Sequence, residues 1–293
     1  METYSKAKPI SESSTRPYQI KAQQALPTLV REARAEQSIY YSDLAAELQM
    51  PNPRNLNYVL GSIGNTLLEL EKKWNEKIPM IQSLVINQST GKPGMGIHEF
   101  FSTPEFQYSS KAEQAKSIEE EQNKVFSYKK WTDILYALNL EPIQNDFTEL
   151  YKKVSSNSGG GGDGGEGEEH KKLKDFVRNN PKYFGLSPKY LQVTIEHNLP
   201  SGDKIDVYFA YNNQEIGIEV KSHISNTEDI LRGLYQCVKY QAVLEARQTV
   251  DGHAKNIYTF LVLGGELPIE LIPLKNVLGI KVFDKIKSKQ TIK

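Results

Sequence analysis

Asp206, Glu219 and Lys221 have the residue types and spacing that metal-assisted phosphodiester hydrolysis requires. Asp206 lies in GDKIDVYF, where it alternates with Ile205 and Val207 as in a strand. Glu219 and Lys221 stand two apart in IGIEVKS. A strand there turns both to one face and sends Val220 into the core. Two carboxylates and the Val220 carbonyl make a hard oxygen site suited to Mg²⁺ or Mn²⁺. The lysine would orient or help deprotonate a water, or stabilise charge on a phosphate. The cation would lower the pKa of the water and clamp the phosphate. Taken one at a time, such residues are ordinary solvated acids on a sheet face and their salt-bridge partner. Their order and the elements that carry them have to decide.

Those elements can be read around the three residues. GEEHKKLKDFVRNNP is a helix ending before Pro181, and LQVTIEHNLP is a strand. DKIDVYFAYN and QEIGIEVKS form a hairpin turning near Asn212 and Asn213. Thr227 to Ala246 is a long amphipathic helix, NIYTFLVLGG a buried strand and GIKVFDK another. Helix, three strands, helix, strand is an α/β or α+β core with a central mixed sheet.

Upstream, Ser155 to Glu169 reads SSNSGGGGDGGEGEE, a flexible linker, since glycine runs lose too much entropy on ordering. The expected organisation is a disordered tail at 1–16, a mainly α domain at 17–104, a helical segment at 105–154, the linker at 155–168 and the α/β domain at 169–293. Tyr18 to about Gln37 is a helix interrupted or delayed at Pro27. Ser42 is the N-cap of a short helix carrying Leu44, Ala45 and Leu48. Asn55 to Lys73 is a further helix, SLVIN at 83–87 a short strand and STGKPGMG a loop. Phe106 to Tyr151 is mostly helical, with KSIEEEQNKV as a solvated face.

The 293 residues carry 36 basic and 36 acidic side chains, but unevenly. Residues 170–293 hold 18 Lys and Arg against 13 Asp and Glu, so the half with the candidate metal-binding acids is also the basic one. Polyanion binding is compatible with that excess. No run of about 18 apolar residues exists and METYSKAKPISESS lacks the apolar core of a signal peptide, so a cytoplasmic location is expected. One cysteine, Cys237, excludes an intramolecular disulfide and a cysteine zinc site, and is expected to be buried packing.

Asp206 followed by Glu219-Val220-Lys221 resembles the signature of the PD-(D/E)XK nuclease superfamily, with Ile205 where its name has proline. Gln236 and Tyr240, in RGLYQCVKYQAVLEA, match the QxxxY motif of its RecB-like and lambda-exonuclease-like branches. At i and i+4 they share a helix face, to which Arg232 adds a turn. Glu169 resembles the helical glutamate that often completes the metal site, with Glu168 and Glu166 as alternatives. The resemblance covers roughly residues 166–285. It implies a restriction-endonuclease-like core, a metal set of Glu169, Asp206, Glu219 and Val220, and Lys221, Gln236 and Tyr240 in catalysis. His197 is read as a bystander, and His223, just past Lys221, as a candidate for the cleft wall.

IYYSDLAAELQMPNPRNLNYVLGSI and IPMIQSLVINQSTGKPGMGI are similar to the winged-helix DNA-binding domain of the alkylguanine alkyltransferase and alkyltransferase-like group. The order helix, helix, helix, strand and loop agrees with a winged helix-turn-helix. The resemblance places Tyr41 on a phosphate and a recognition helix in the region of Arg54 to Gly61. Arg54, Asn55 and Asn57 would meet groove edges or phosphates, and Lys92 the backbone at a wing. No cysteine precedes Cys237, so alkyl transfer is excluded. The expected protein is a Mg²⁺- or Mn²⁺-dependent endonuclease acting on duplex DNA, with a restriction or anti-phage defence role. Homodimers or complexes with other defence proteins are compatible with that role. The alternatives are a non-catalytic DNA-binding subunit with a nuclease-like fold, and an RNA-directed nuclease.

Overall fold

The structure is a computed structural model that describes residues 6–11, 13, 15–94, 96–97, 109–143, 147, 152, 167–190, 192–251 and 255–287. The chain divides into two compact units, residues 1–145 and 146–293. The glycine-rich run 155–166, Glu166 included, lies outside the described residues.

In the first unit, α1 (Pro17–Arg34) opens on a proline, whose missing N–H is harmless at a helix start, and runs on through Pro27. β1 (Ile39–Tyr40) leads into α2 (Tyr41–Glu47). The expected Ser42 cap is corrected: Tyr40 is the N-cap and no side chain caps the helix. A 3₁₀ turn at Pro53–Asn55, capped by the Asn52 side chain, precedes α3 (Leu56–Trp74). The expected strand at 83–87 is shorter. Ile81–Leu84 is a 3₁₀ turn, and only Val85–Ile86 forms β2. β2 runs parallel to β1, and Ile86 makes an antiparallel bridge to Pro93.

Helix α4 (Lys111–Ser127) starts in a capping box made by Ser110 and Glu113, and α5 (Trp131–Ala137) follows. Val125, Trp131, Ile134 and Leu135 join Leu26, Leu29, Leu44, Leu56, Ile63 and Leu84 in one core, so this helical segment belongs to the first unit. The charged face expected for α4 is also not wholly solvated. Ile118 and Glu121 are buried, and Glu121 accepts the Met80 N–H at 2.8 Å.

The disordered tail is corrected where it is described. Ala7 and Ile10 are buried, the Ile10 N–H donates to Thr66 Oγ1 at 2.8 Å, and Ser62 and Asn65 donate to the carbonyls of Lys8 and Ala7. α3 thus lends three polar side chains to an extended segment whose own backbone would otherwise be unsatisfied.

In the second unit, α6 (Glu168–Asn179) precedes β3 (Gln192–Asn198), β4 (Lys204–Ala210) and β5 (Gln214–Lys221). Then come α7 (Thr227–Asp251), β6 (Asn256–Leu263), the short α8 (Ile272–Val277) and β7 (Lys281–Phe283). α7 therefore continues past the expected end at Ala246. The sheet order is β3-β4-β5-β6-β7. β3, β4 and β5 pair antiparallel, and β5, β6 and β7 pair parallel, so the sheet is mixed. Ile216, Ile218 and Val220 pack with Leu173, Phe176 and Val177 of α6 on one face. Leu231, Leu234 and Tyr240 of α7 pack on the other. The observed class is a mixed α/β chain with a five-stranded mixed sheet, compatible with α+β. Among the described residues no helix is long and apolar enough to cross a membrane.

Both tryptophans, Trp74 and Trp131, lie in the first unit, so their fluorescence reports its unfolding. Ile10→Ala is expected to cost about 2 kcal/mol, from lost apolar burial plus a residual cavity. An unchanged urea midpoint would mean that residues 6–10 do not pack on α3.

Candidate functional site

The central strand β5 is buried on both faces, which is where a carboxylate is costly. Glu219 points to the α7 side, and its side chain is only 4% exposed. Helix α7 approaches closely because residue 233 is glycine. A Cβ there would stand 2.9 Å from Leu261 Cδ1 and 3.1 Å from Lys221 Cε. That approach brings Gln236 and Tyr240 onto the strand.

The resulting network is closed. Lys221 Nζ donates to Glu219 Oε1 at 2.7 Å and to Gln236 Oε1 at 3.1 Å. Gln236 Nε2 donates to the Tyr240 hydroxyl at 3.3 Å. That hydroxyl lies 3.0 Å from Glu219 Oε2 and 2.9 Å from the Lys204 carbonyl, with one proton to give between them. Glu219, Lys221, Gln236 and Tyr240 are therefore gathered as their spacing suggests. Arg232 is bound instead to Asp229 at 3.1 Å.

Asp206 is held differently. Its Oδ2 accepts the Val220 N–H at 2.8 Å. Two side chains of α6 flank it: His170 Nε2 lies 3.5 Å from Oδ2, and Lys174 Nζ lies 3.8 Å from Oδ1. His170 Nε2 is also 2.7 Å from the Val220 carbonyl oxygen. A carbonyl only accepts, so that nitrogen carries the proton.

Glu169 is not among the contacts of Asp206 and Glu219. It pairs with Lys172 at 3.1 Å and lies 4.0 Å from His223 Nδ1, while Glu168 pairs with Lys172 at 2.8 Å. The helix turns the next residue, His170, toward Asp206 and the Val220 carbonyl. Sequence reasoning missed it by seeking an acid on this helix; the signal was a histidine beside two acids at the start of an amphipathic helix. Glu169 instead lines, with Ser222, His223 and Lys287, a cavity of about 350 Å³ just past Lys221. His197 stacks on Tyr208, with ring centroids 3.9 Å apart, as a packing residue. Cys237 is fully buried.

Charge follows geometry. Burial, and then the nearby Asp206 charge, push the Glu219 carboxyl up to about 7 against the pull of Lys221 and Tyr240. Burial and the Glu219 charge raise the Tyr240 phenol, which stays a proton donor at neutral pH. The carboxylate of Asp206 raises His170. Among the described residues no three Asp, Glu, His or Cys side chains are gathered as a metal-binding group. Glu219 is engaged by Lys221 and Tyr240, and Asp206 by His170 and Val220. The donors nevertheless suit a divalent cation in kind. They are two carboxylates, a backbone carbonyl and an imidazole, around a buried acid whose negative charge its neighbours do not fully stabilise.

In the first unit, Tyr41, Arg54 and Asn57 line one cavity of about 500 Å³, with Gln82, Asn87 and Gly94. The Tyr41 hydroxyl accepts the Gly94 N–H at 3.2 Å, and a Cβ at residue 94 would come within 2.8 Å of it. The Gln82 side chain is buried and its Oε1 has no hydrogen-bond partner. Asn55 is exposed at the end of the 3₁₀ turn. Lys92 is exposed in the turn after β2, where its carbonyl accepts the Asn87 N–H.

The raised Glu219 carboxyl has a consequence for stability. The folded chain holds this proton more tightly than the unfolded chain does. Its contribution therefore favours folding below the ordinary carboxylate range and is lost as pH rises toward about 7. In EDTA, Glu219→Gln is expected to gain in Tm relative to the parent between pH 5 and pH 8. A Tm difference independent of pH would refute the raised value.

No protein-family model matches the chain, and no curated protein or solved structure matches it.

Proposed function

We propose that the second unit is a metal-dependent nuclease of restriction-endonuclease-like fold, and that the chain hydrolyses phosphodiester bonds of DNA. The observation that carries this reading is the meeting of two sequence pairs that lie far apart. Lys221 is held between Glu219 of its own strand and Gln236 of α7, while Tyr240 holds the other oxygen of Glu219. A lysine steered this way has a fixed direction, which a general acid–base or phosphate-stabilising role needs.

A divalent cation held by Asp206, Glu219, the Val220 carbonyl and His170 would supply Lewis acidity to the phosphate and lower the pKa of the attacking water. The chain's own groups supply the rest. Lys221 orients the water or stabilises charge on the phosphate. Gln236 and Tyr240 keep Lys221 and Glu219 in register. His170 would serve as a ligand only through a ring nitrogen free of its proton, so holding the cation would release the proton that the Val220 carbonyl accepts.

The test uses supercoiled plasmid, linear duplex, single-stranded DNA and RNA with Mg²⁺, Mn²⁺ or EDTA. Cleavage is expected with metal and not with EDTA. Asp206→Ala and Lys221→Ala are each expected to lower it about 100-fold or more. Equal cleavage by parent and variants, or none on any substrate, would sink the reading.

The first unit is proposed to bind DNA through the surface around Tyr41, Arg54, Asn55, Asn57 and Lys92. The support is the convergence of Tyr41, Arg54 and Asn57 on one cavity, together with the winged-helix resemblance of the sequence. A phosphate contact by Arg54 releases about one counterion. Arg54→Ala should weaken duplex binding and lower the slope of log K against log salt by about 1. An unchanged slope, read by fluorescence anisotropy across a salt series, would remove Arg54 from the interface.

A further inference from the structure

Glu196 stands out in the backbone. Six non-glycine residues among those described have positive φ, and five of them come one or two residues after the end of a helix or strand. Glu196, at φ 53°, is the exception, because it lies inside β3. Such a conformation costs a non-glycine residue of order 1 kcal/mol and persists only where the surroundings enforce it. The residues on either side keep the ladder, with Ile195 opposite Val207 and His197 opposite Ile205. Glu196 therefore stands across from Asp206, at the one point where β3 and β4 depart from regular pairing.

The sheet's alternation breaks at the same place. Ile205 packs with Tyr240 and Leu244 on the α7 side, whereas Val207 packs with Leu173 and Phe176 on the α6 side. Two residues apart on a regular strand would share a face. Asp206 is the residue between them, and its carboxylate meets His170 and Lys174 of α6. Lys174 is buried at 3% exposure, and its ammonium lies 3.1 Å from Glu196 Oε1 and 3.8 Å from Asp206 Oδ1. Glu196 also reaches Lys204 at 3.4 Å. A lysine so enclosed does not reach a substrate, so its role is exerted on the carboxylates.

We infer that Lys174 and Glu196 are positioning residues for Asp206. Glu196 takes the left-handed conformation, its carboxylate fixes the buried Lys174, and Lys174 holds Asp206 where it accepts the Val220 N–H, faces His170 and meets an incoming divalent cation. The inference rests on the metal-site reading proposed above. Support of this kind behind a ligand is worth 10- to 100-fold in metal affinity or rate.

Mn²⁺ binding to the full chain, read by the loss of the free-ion electron paramagnetic resonance signal, tests this without relying on cleavage. Glu196→Gly suits the positive φ and removes the half-exposed side chain with its carboxylate, so the fold is expected to hold even if Lys174→Met unfolds. Both variants are expected to bind Mn²⁺ about 10-fold more weakly. Plasmid cleavage should lose about 10-fold in kcat with KM unchanged, and Lys174→Arg should recover most of both. Mn²⁺ bound and DNA cleaved by Glu196→Gly and Lys174→Met as by the parent would overturn this inference and leave the nuclease reading standing. A parent chain that binds no Mn²⁺ would overturn both. Weaker binding without recovery by Lys174→Arg would assign the loss to packing and overturn the positioning role.

Discussion

The second unit is organised around one costly act, the burial of the Glu219 carboxylate in the central strand. Each of its oxygens has a partner, Lys221 on one and Tyr240 on the other. Both partners impose conditions. Lys221 must lie on the same strand face, two residues on. Tyr240 must come from a helix close enough to touch the sheet, which requires Gly233. Gln236 must stand one turn before Tyr240 to bind Lys221 as well. The parallel pairing of β5 with β6 follows from the same arrangement, because α7 is the crossover that joins them.

These conditions explain which parts were legible in the sequence. Periods of two and of four encode faces, so Glu219 with Lys221, and Gln236 with Tyr240, can be paired from their spacing alone. Apolar Ile216, Ile218 and Val220 mark the opposite face by the same rule. What the periods do not encode is a departure from them. The break at Asp206 lies opposite Glu196, whose positive φ no pattern announces. His170 and Lys174 share a face of α6, but that face looks like any charged helix surface until the sheet edge is laid against it. Residues 6–10 read as a polar tail because the partners that order them, Ser62, Asn65 and Thr66, lie more than fifty positions away.

In the first unit, the residues that form the fold and those that line the cavity separate cleanly. Leu44, Leu56 and Ile63 hold α2 and α3 in the core. Tyr41 and Asn57 stand beside them on the same helices and turn toward the cavity, with Arg54 at the turn between. Tyr41 does both jobs, since its ring packs on the core and its hydroxyl holds the backbone at Gly94. Gln82 adds a buried acceptor without a partner in the same wall. A core built for stability alone would have placed an apolar side chain there.

The same contrast bears on the carboxylate cluster. A buried ion pair is weak evidence of stabilisation, because well-packed apolar residues usually do as well or better. Glu219 beside Lys221, and Lys174 beside the left-handed Glu196 and Asp206, are each locally unfavourable choices. Elsewhere in the sheet the chain follows the apolar pattern closely, as Ile216, Ile218 and Val220 show. Glu215 is the other buried acid on β5, and there the Tyr208 hydroxyl, Lys255 and Arg247 overcome burial and hold the carboxyl below its ordinary range. Glu219 instead shifts upward, because its burial and the nearby Asp206 outweigh Lys221 and Tyr240. Two acids on one strand thus have opposite outcomes, one settled among hydrogen-bond and ion-pair partners and the other held above its ordinary range by burial.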